Sequence, residues 1–288
     1  MAQIDVNGLS IAYELLGPEG APAVAISPGG RFSKDAPGIS ELGKALAAGG
    51  KRVLLWDRPN CGASDMSFDG ESEGKIQAAA LCGLIRQLGL GPTALVGGSA
   101  GVRTSLLAAL HDPAVASHLA LWWVSGGVAS LMMMGAGYCS EVAIAASLGG
   151  MEAVAAMPMF KEQLARNPHN RGIILAQDVE EFIAKMERWA AGYVPAEPLA
   201  VPGISRAEFG SLKLPVLIFN NHPRDFFHRS PITGWLHEAI PGSTLVELPW
   251  EGDEFAACMK LAIANGSGTG HFIHWCDLAP QILAFLED

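Results

Sequence analysis

The chain has 288 residues, half of them hydrophobic and 17% charged, with 34 glycines and 18 prolines. This composition suits a folded α/β enzyme with many tight turns and excludes a disordered protein. A formal charge of −10 repels a phosphate backbone, and no run of Lys or Arg forms a basic patch, so nucleic acid is not an expected partner.

In chain order, two short runs flank Asn7-Gly8, a two-residue hairpin signal, and predict an antiparallel pair over about 2–15 at a sheet edge. Ala23-Val-Ala-Ile-Ser27 reads as a strand ending in Pro28-Gly29-Gly30. A helix at 39–48, a strand at 52–56, a helix at 74–88, a strand at 93–97, a helix at 101–110 and a buried strand at 118–124 follow. Repeated β-α-β units of this length imply a mostly parallel central sheet with helices on both faces. From 127 to 213 strand character fades into Met- and Ala-rich helical text, read as an inserted helical cap between the two parts of a core domain, 1–126 and 214–288. Strands return at 215–219 and 243–248 with a helix between them, and a final helix spans 278–286.

The uncharged stretch 119–140 is as long as a membrane span, but its glycine pairs and strand-like start argue against one. The opening Met1-Ala2-Gln3-Ile4-Asp5 lacks a basic and apolar leader, so a cytoplasmic location is expected. Cys61, Cys82, Cys139, Cys258 and Cys276 are widely spaced and form no CxxC or Cys/His cluster, which predicts free thiols. The histidines lack ligand spacing, and neither a P-loop nor a GxGxxG occurs, so no metal or cofactor is expected.

The motif richest in chemistry is Gly97-Gly98-Ser99-Ala100-Gly101, between an apolar strand and a helix. G-x-S-x-G in that setting holds its serine on a sharp turn, with the free N–H groups of the following helix directed at the site. A serine hydroxyl needs a base, and the base needs a carboxylate. His271, in Gly270-His271 after the last strand, is the expected base, with His274 as its rival. Asp225, in the loop after the strand at 215–219, is the expected acid, with Asp253 and Glu251 as substitutes. The backbone N–H of Ala100 is one expected oxyanion donor, and that of Gly30 or Arg31 is the second, with Gly30 favoured.

Serine, then acid, then histidine, with a glycine loop after the first parallel strand, resembles the α/β-hydrolase superfamily, in its serine-nucleophile branch with a helical cap. The likeness extends to Asp57-Arg58-Pro59-Asn60-Cys61-Gly62-Ala63-Ser64-Asp65, similar to the family's D-x-x-G-x-G-x-S turn with Asn60 at one glycine position. Three departures stand out: Pro28-Gly29 replaces the common His-Gly, alanine rather than methionine follows the serine, and an apparent insertion at 251–268 lengthens the stretch between Asp225 and His271. A serine nucleophile disfavours the epoxide- and halide-processing relatives.

The resemblance implies hydrolysis of a small-to-medium, largely apolar ester or lactone through an acyl-enzyme on Ser99. Cleavage of carbon–carbon bonds in ring-fission diketone acids is the alternative, and a low-turnover ligand receptor or a cofactor-free peroxidase or lyase stands behind it. Arg31, Arg103, Trp123 and Met133 are the candidate substrate contacts. The expected partner is a small-molecule substrate, and a homodimer is left open.

Overall fold

The computed structural model describes residues 2–195, 201–265 and 272–287. Eight strands form one sheet: β1 (Ala2–Val6), β2 (Leu9–Leu16), β3 (Ala23–Ser27), β4 (Arg52–Trp56), β5 (Thr93–Gly98), β6 (Ala116–Trp122), β7 (Val216–Asn220) and β8 (Thr244–Glu247). Their order is β1-β2-β4-β3-β5-β6-β7-β8. The hairpin pairs β1 with β2, and β2 runs antiparallel to β4; the remaining pairings are parallel. The expected architecture, including the antiparallel edge, is therefore present.

The inner parallel strands β3 to β7 are largely buried on both faces, and their side chains divide by alternation, whereas the edge strand β8 is partly exposed. Ala25, Leu54, Leu95, Leu119, Leu121 and Ile218 enter one core. Val24, Ile26, Val53, Val96, Ala120, Trp122 and Phe219 enter the other. Among the described residues the α-helices are α1 (Ile39–Ala48), α2 (Glu73–Gln87), α3 (Ala100–His111), α4 (Val128–Gly135), α5 (Glu141–Ala155), α6 (Lys161–Arg166), α7 (His169–Leu175), α8 (Val179–Ala191), α9 (Arg206–Ser211), α10 (Ser230–Ala239), α11 (Glu254–Asn265) and α12 (Ala279–Phe285). Residues of α2, α3, α9 and α10 close the first core, and residues of α1 and α12 close the second.

Helices α4 to α8 lie between β6 and β7 in the chain and bury a hydrophobic cluster of their own, including Leu131, Val142, Val154, Phe160, Phe182 and Trp189. Met66, Phe68 and Ile76 from the sheet-bearing part join it. The 128–166 stretch is long and apolar enough to cross a membrane by length and composition. Gly149 and Gly150 depart from helical dihedrals within α5, and apolar residues on both sides of that break, Val142 and Val154, are buried in this cluster.

Polar groups fasten these helices to the loop after β4. The buried Asn170 amide accepts from the Met66 N–H at 2.8 Å and donates to the Ser64 carbonyl at 3.0 Å. The Trp189 indole donates to the Gly70 carbonyl at 3.0 Å. Asn60 has φ +68, a left-handed conformation that asparagine tolerates better than most side chains. That explains how it occupies a glycine position, and its side chain closes the turn by exchanging hydrogen bonds with Ser67.

Candidate active site

The carboxyl ends of β3, β5, β6 and β7 converge, which is where open parallel sheets present ligands. At the end of β5 the backbone turns sharply through Ser99, with φ 55 and ψ −119, a sparsely populated conformation that must be held by its surroundings. The Ser99 N–H donates to the Trp122 carbonyl at 3.1 Å. A β-carbon on Gly101 would lie 2.0 Å from the Ser27 carbonyl oxygen, and one on Gly97 would lie 2.4 Å from the Gly101 oxygen. Glycine is thus required for the elbow and β3 to approach so closely.

Among the described residues, the imidazole that meets Ser99 is His228. Its Nε2 lies 3.0 Å from Ser99 Oγ, and its Nδ1 lies 2.9 Å from Asp225 Oδ2. Asp225 Oδ1 also accepts the backbone N–H groups of Phe227 at 2.9 Å and His228 at 3.0 Å. One buried carboxylate therefore shapes its own turn and delivers the histidine three residues later. Trp123, strained at φ +51, stacks on the His228 ring at 5.3 Å, and Phe255 meets it edge-on at 4.9 Å. The loops bearing these groups are tied by the buried Asn221 amide, which accepts from Val124 N–H at 3.1 Å and donates to Val124 O at 2.9 Å.

His271, the expected base, lies outside the described residues. His228, which shares a loop with Asp225, was not singled out from the sequence; the spacing Asp-x-x-His was the available signal. The other candidates are engaged elsewhere. The His274 ring faces Asp277 at 3.1 Å and stacks beside Trp250. Asp253 caps α11 through the Ala256 N–H and lies 3.8 Å from His222. Glu251 is exposed. Ser125, not singled out from the sequence, has its Oγ 3.4 Å from Ser99 Oγ.

The Ala100 N–H opens α3, where the first N–H groups have no intrahelical acceptor. Gly30 adopts φ +45 in the loop after β3. The buried Arg58 donates from Nη2 to the Gly29 carbonyl at 3.2 Å and to the Gly30 carbonyl at 2.6 Å. A peptide unit is planar with C=O and N–H opposed, so fixing the Gly29 carbonyl also fixes the direction of the Gly30 N–H.

A cavity of about 260 Å³ opens at Ser99 and His228, walled by Phe32, Trp123, Phe227, Phe255 and Phe272, with Met134 and Tyr138 from the inserted helices. Met133 is not part of this wall. It is 52% exposed, because neighbouring helical residues point about 100° apart and Met134 takes the inward position. Arg31 is paired with Glu73 at 3.2 Å and lies 5.4 Å from the Tyr138 ring centre. Arg103 lines a second, smaller arm of the Ser99 cavity.

No protein-family model matches the chain. The mouse sn-1-specific diacylglycerol lipase ABHD11 is 39% identical over 117 residues, a match that covers 40% of this chain and 37% of that curated relative's length. Solved structures match over nearly the whole chain at low identity. An enol-lactonase from Burkholderia xenovorans LB400 is 20% identical with a TM-score of 0.60 and both chains fully covered. A thermophilic esterase from Thermogutta terrifontis is 17% identical with a TM-score of 0.60, covering 100% of this chain and 98% of that one. A meta-cleavage product hydrolase from Pseudomonas fluorescens IP01 is 16% identical with a TM-score of 0.61, covering 100% and 97%. The sheet order, the elbow and these likenesses agree: the chain has the α/β-hydrolase fold.

Proposed function

We propose that the protein is a serine hydrolase that cleaves a carboxylic ester or lactone through an acyl-enzyme on Ser99, with His228 in the role of base and Asp225 as its orienting acid. The observation that carries this reading is the continuous contact from Ser99 Oγ to His228 Nε2 at 3.0 Å and from His228 Nδ1 to Asp225 at 2.9 Å. With Asp225 accepting Nδ1–H, Nε2 is left as the acceptor for the serine proton. As Oγ attacks the carbonyl carbon, that proton passes to Nε2 and the carbonyl oxygen becomes an oxyanion facing the N–H groups of Ala100 and Gly30. The imidazolium then protonates the leaving oxygen, and a water activated by the same ring releases the acid.

Residues 127–213 form a cap in this reading, contributing Met134, Tyr138 and Tyr193 to the substrate walls. The mostly aromatic cavity supports a small-to-medium, largely apolar substrate. The names of the lactonase, esterase, lipase and carbon–carbon hydrolase among the similar proteins support hydrolysis as the reaction class.

The test is turnover of short p-nitrophenyl esters by wild type, Ser99→Ala, His228→Ala and His271→Ala, with mass spectrometry after fluorophosphonate labelling. Ser99→Ala and His228→Ala are expected to lose about a thousandfold or more in kcat, with the label on Ser99. His271→Ala is expected to stay within about tenfold of wild type. A collapse of His271→Ala with His228→Ala intact overturns the assignment of the base.

A further inference from the structure

The space beside Ser99 has two arms of opposite character. The larger is the aromatic cavity of about 260 Å³. The smaller, about 20 Å³, is lined by Ala100, Arg103, Ser125, Tyr138 and Tyr193 among others, and it has room for little more than one small polar group. Ser99, Ser125, Met134 and Tyr138 border both arms. A further recess of about 30 Å³ shares Arg103 and Tyr193 with the small arm and reaches Glu73.

Three arginines approach this region. Arg31 pairs with Glu73 at 3.2 Å. Arg58 spends Nη2 on the Gly29 and Gly30 carbonyls. Arg103 forms no ion pair within 4 Å among the described residues; it meets the Tyr193 hydroxyl, its guanidinium carbon lies 4.9 Å from the centre of the Tyr193 ring, and the Glu73 carboxylate, already paired with Arg31, attracts it from across the shared recess. Burial pushes the Tyr193 phenol up to about 12 and the Cys139 thiol up to about 12, so neither supplies a negative charge at ordinary pH. A largely buried cation without a carboxylate partner is costly unless an anion arrives to meet it. Arg103 is also four residues past Ser99, one turn along α3, so about 6 Å of axial rise separates the two backbone positions, and both residues line the small arm.

We propose that the small arm is a carboxylate subsite, in which Arg103, flanked by Tyr138 and Tyr193, holds the terminal carboxylate of a short acyl chain while the leaving group lies in the aromatic arm. This rests on the serine-hydrolase reading above and narrows its substrates to esters or lactones whose acyl part ends in a carboxylate. Attack at Ser99 is unchanged; the anion supplies orientation.

The matched substrates are mono-p-nitrophenyl succinate and p-nitrophenyl butyrate, which differ at the chain end in carboxylate against methyl. A charge-assisted hydrogen bond to a buried cation predicts a kcat/KM ratio in favour of the succinate of about tenfold or more in wild type. That ratio is expected to fall by about tenfold or more in Arg103→Gln, less in Arg103→Lys, which keeps the charge without the planar fork, and several-fold in Tyr193→Phe. Calorimetry with glutarate on Ser99→Ala reads the subsite without turnover: binding is expected, and its loss when Arg103→Gln is added. A wild-type ratio at or below one, a ratio unmoved by Arg103→Gln, or no glutarate binding to Ser99→Ala overturns the subsite. Failure of fluorophosphonate to label Ser99 overturns the hydrolase reading instead, and the glutarate titration still decides the carboxylate subsite.

Discussion

The sheet and the inserted helices build the two halves of the site by different means. On the sheet side, each group in the proposed chemistry stands at or in a loop beyond a strand end and is held by buried contacts: Ser99 by the elbow, His228 by Asp225 and two aromatic rings, and the Gly29–Gly30 loop by Arg58. On the helical side, Met134 and Tyr138 come from elements that bury a separate cluster and expose apolar surface outward at Val128, Met132 and Met133. The contacts around Ser99 thus rest on a heavily braced part of the molecule, and the inserted helices add Met134 and Tyr138 to the walls from a part with its own core. Substitutions at Ser99, His228 or Arg58 should alter kcat, and those at Met134 or Tyr138 should alter which substrate is used.

The sharpest break of that comparison is removal of Ser99 or His228, with its expected thousandfold loss in kcat and folding intact. Arg58 comes next, as a positioning residue that touches no substrate. Arg58→Met frees the Gly29 and Gly30 carbonyls and with them the Gly30 N–H, so kcat should fall by about ten- to a hundredfold, part of the cost of losing one oxyanion donor. KM and the pH profile should stay close to wild type, and Arg58→Lys should recover part of the loss. Equal effects on KM and kcat in Arg58→Met would show that the residue braces the fold generally.

These contrasts also explain what was legible in the sequence. Strand alternation, helix lengths and the G-x-S-x-G elbow are local signals, and the structure has the sheet, its antiparallel edge and the strand–elbow–helix at the expected places. Asn60 at a glycine position was legible as a departure, and its positive φ is the reason asparagine fits. The place of His228 beside Ser99 was not legible, because it is set by a turn in which Asp225 accepts the Phe227 and His228 N–H groups and holds the His228 ring. The phase of Leu131-Met132-Met133-Met134 was hidden for a different reason. Four apolar residues in a row carry no helical period, so pattern alone does not say that Met134, packed against the cluster of the inserted helices, is the one that faces the cavity.

A smaller effect concerns α11, which supplies Phe255 and Met259 to the cavity wall. Burial pushes the Glu254 carboxyl at its start up from 4.5 to about 7; one oxygen accepts the His274 N–H at 2.9 Å and the other is buried without a hydrogen-bond partner among the described residues. The folded chain therefore holds this proton more tightly than the unfolded chain, and stability falls as pH rises from about 4.5 through 7, then stays lowered. Denaturant unfolding at pH 5 and pH 8 should show that decline, on the order of 1–3 kcal/mol from this group. Glu254→Gln should flatten it, and an equal decline in the variant would assign the pH dependence to other groups.

The finest comparison sets two adjacent methionines against each other. Met133 is 52% exposed, whereas Met134 is partly buried and borders both arms at Ser99. Met133→Ser removes surface contacts alone, so stability should stay within about 0.5 kcal/mol and kcat/KM for every ester should hold. Met134→Ala opens space where the two arms meet, so KM for p-nitrophenyl butyrate should rise several-fold, with kcat nearly unchanged because the Ser99–His228–Asp225 contacts are borne by other elements. If Met133→Ser moved KM as much as Met134→Ala, substrate would have to contact the outer face of α4, and the helical half of the site would need to be redrawn around that face.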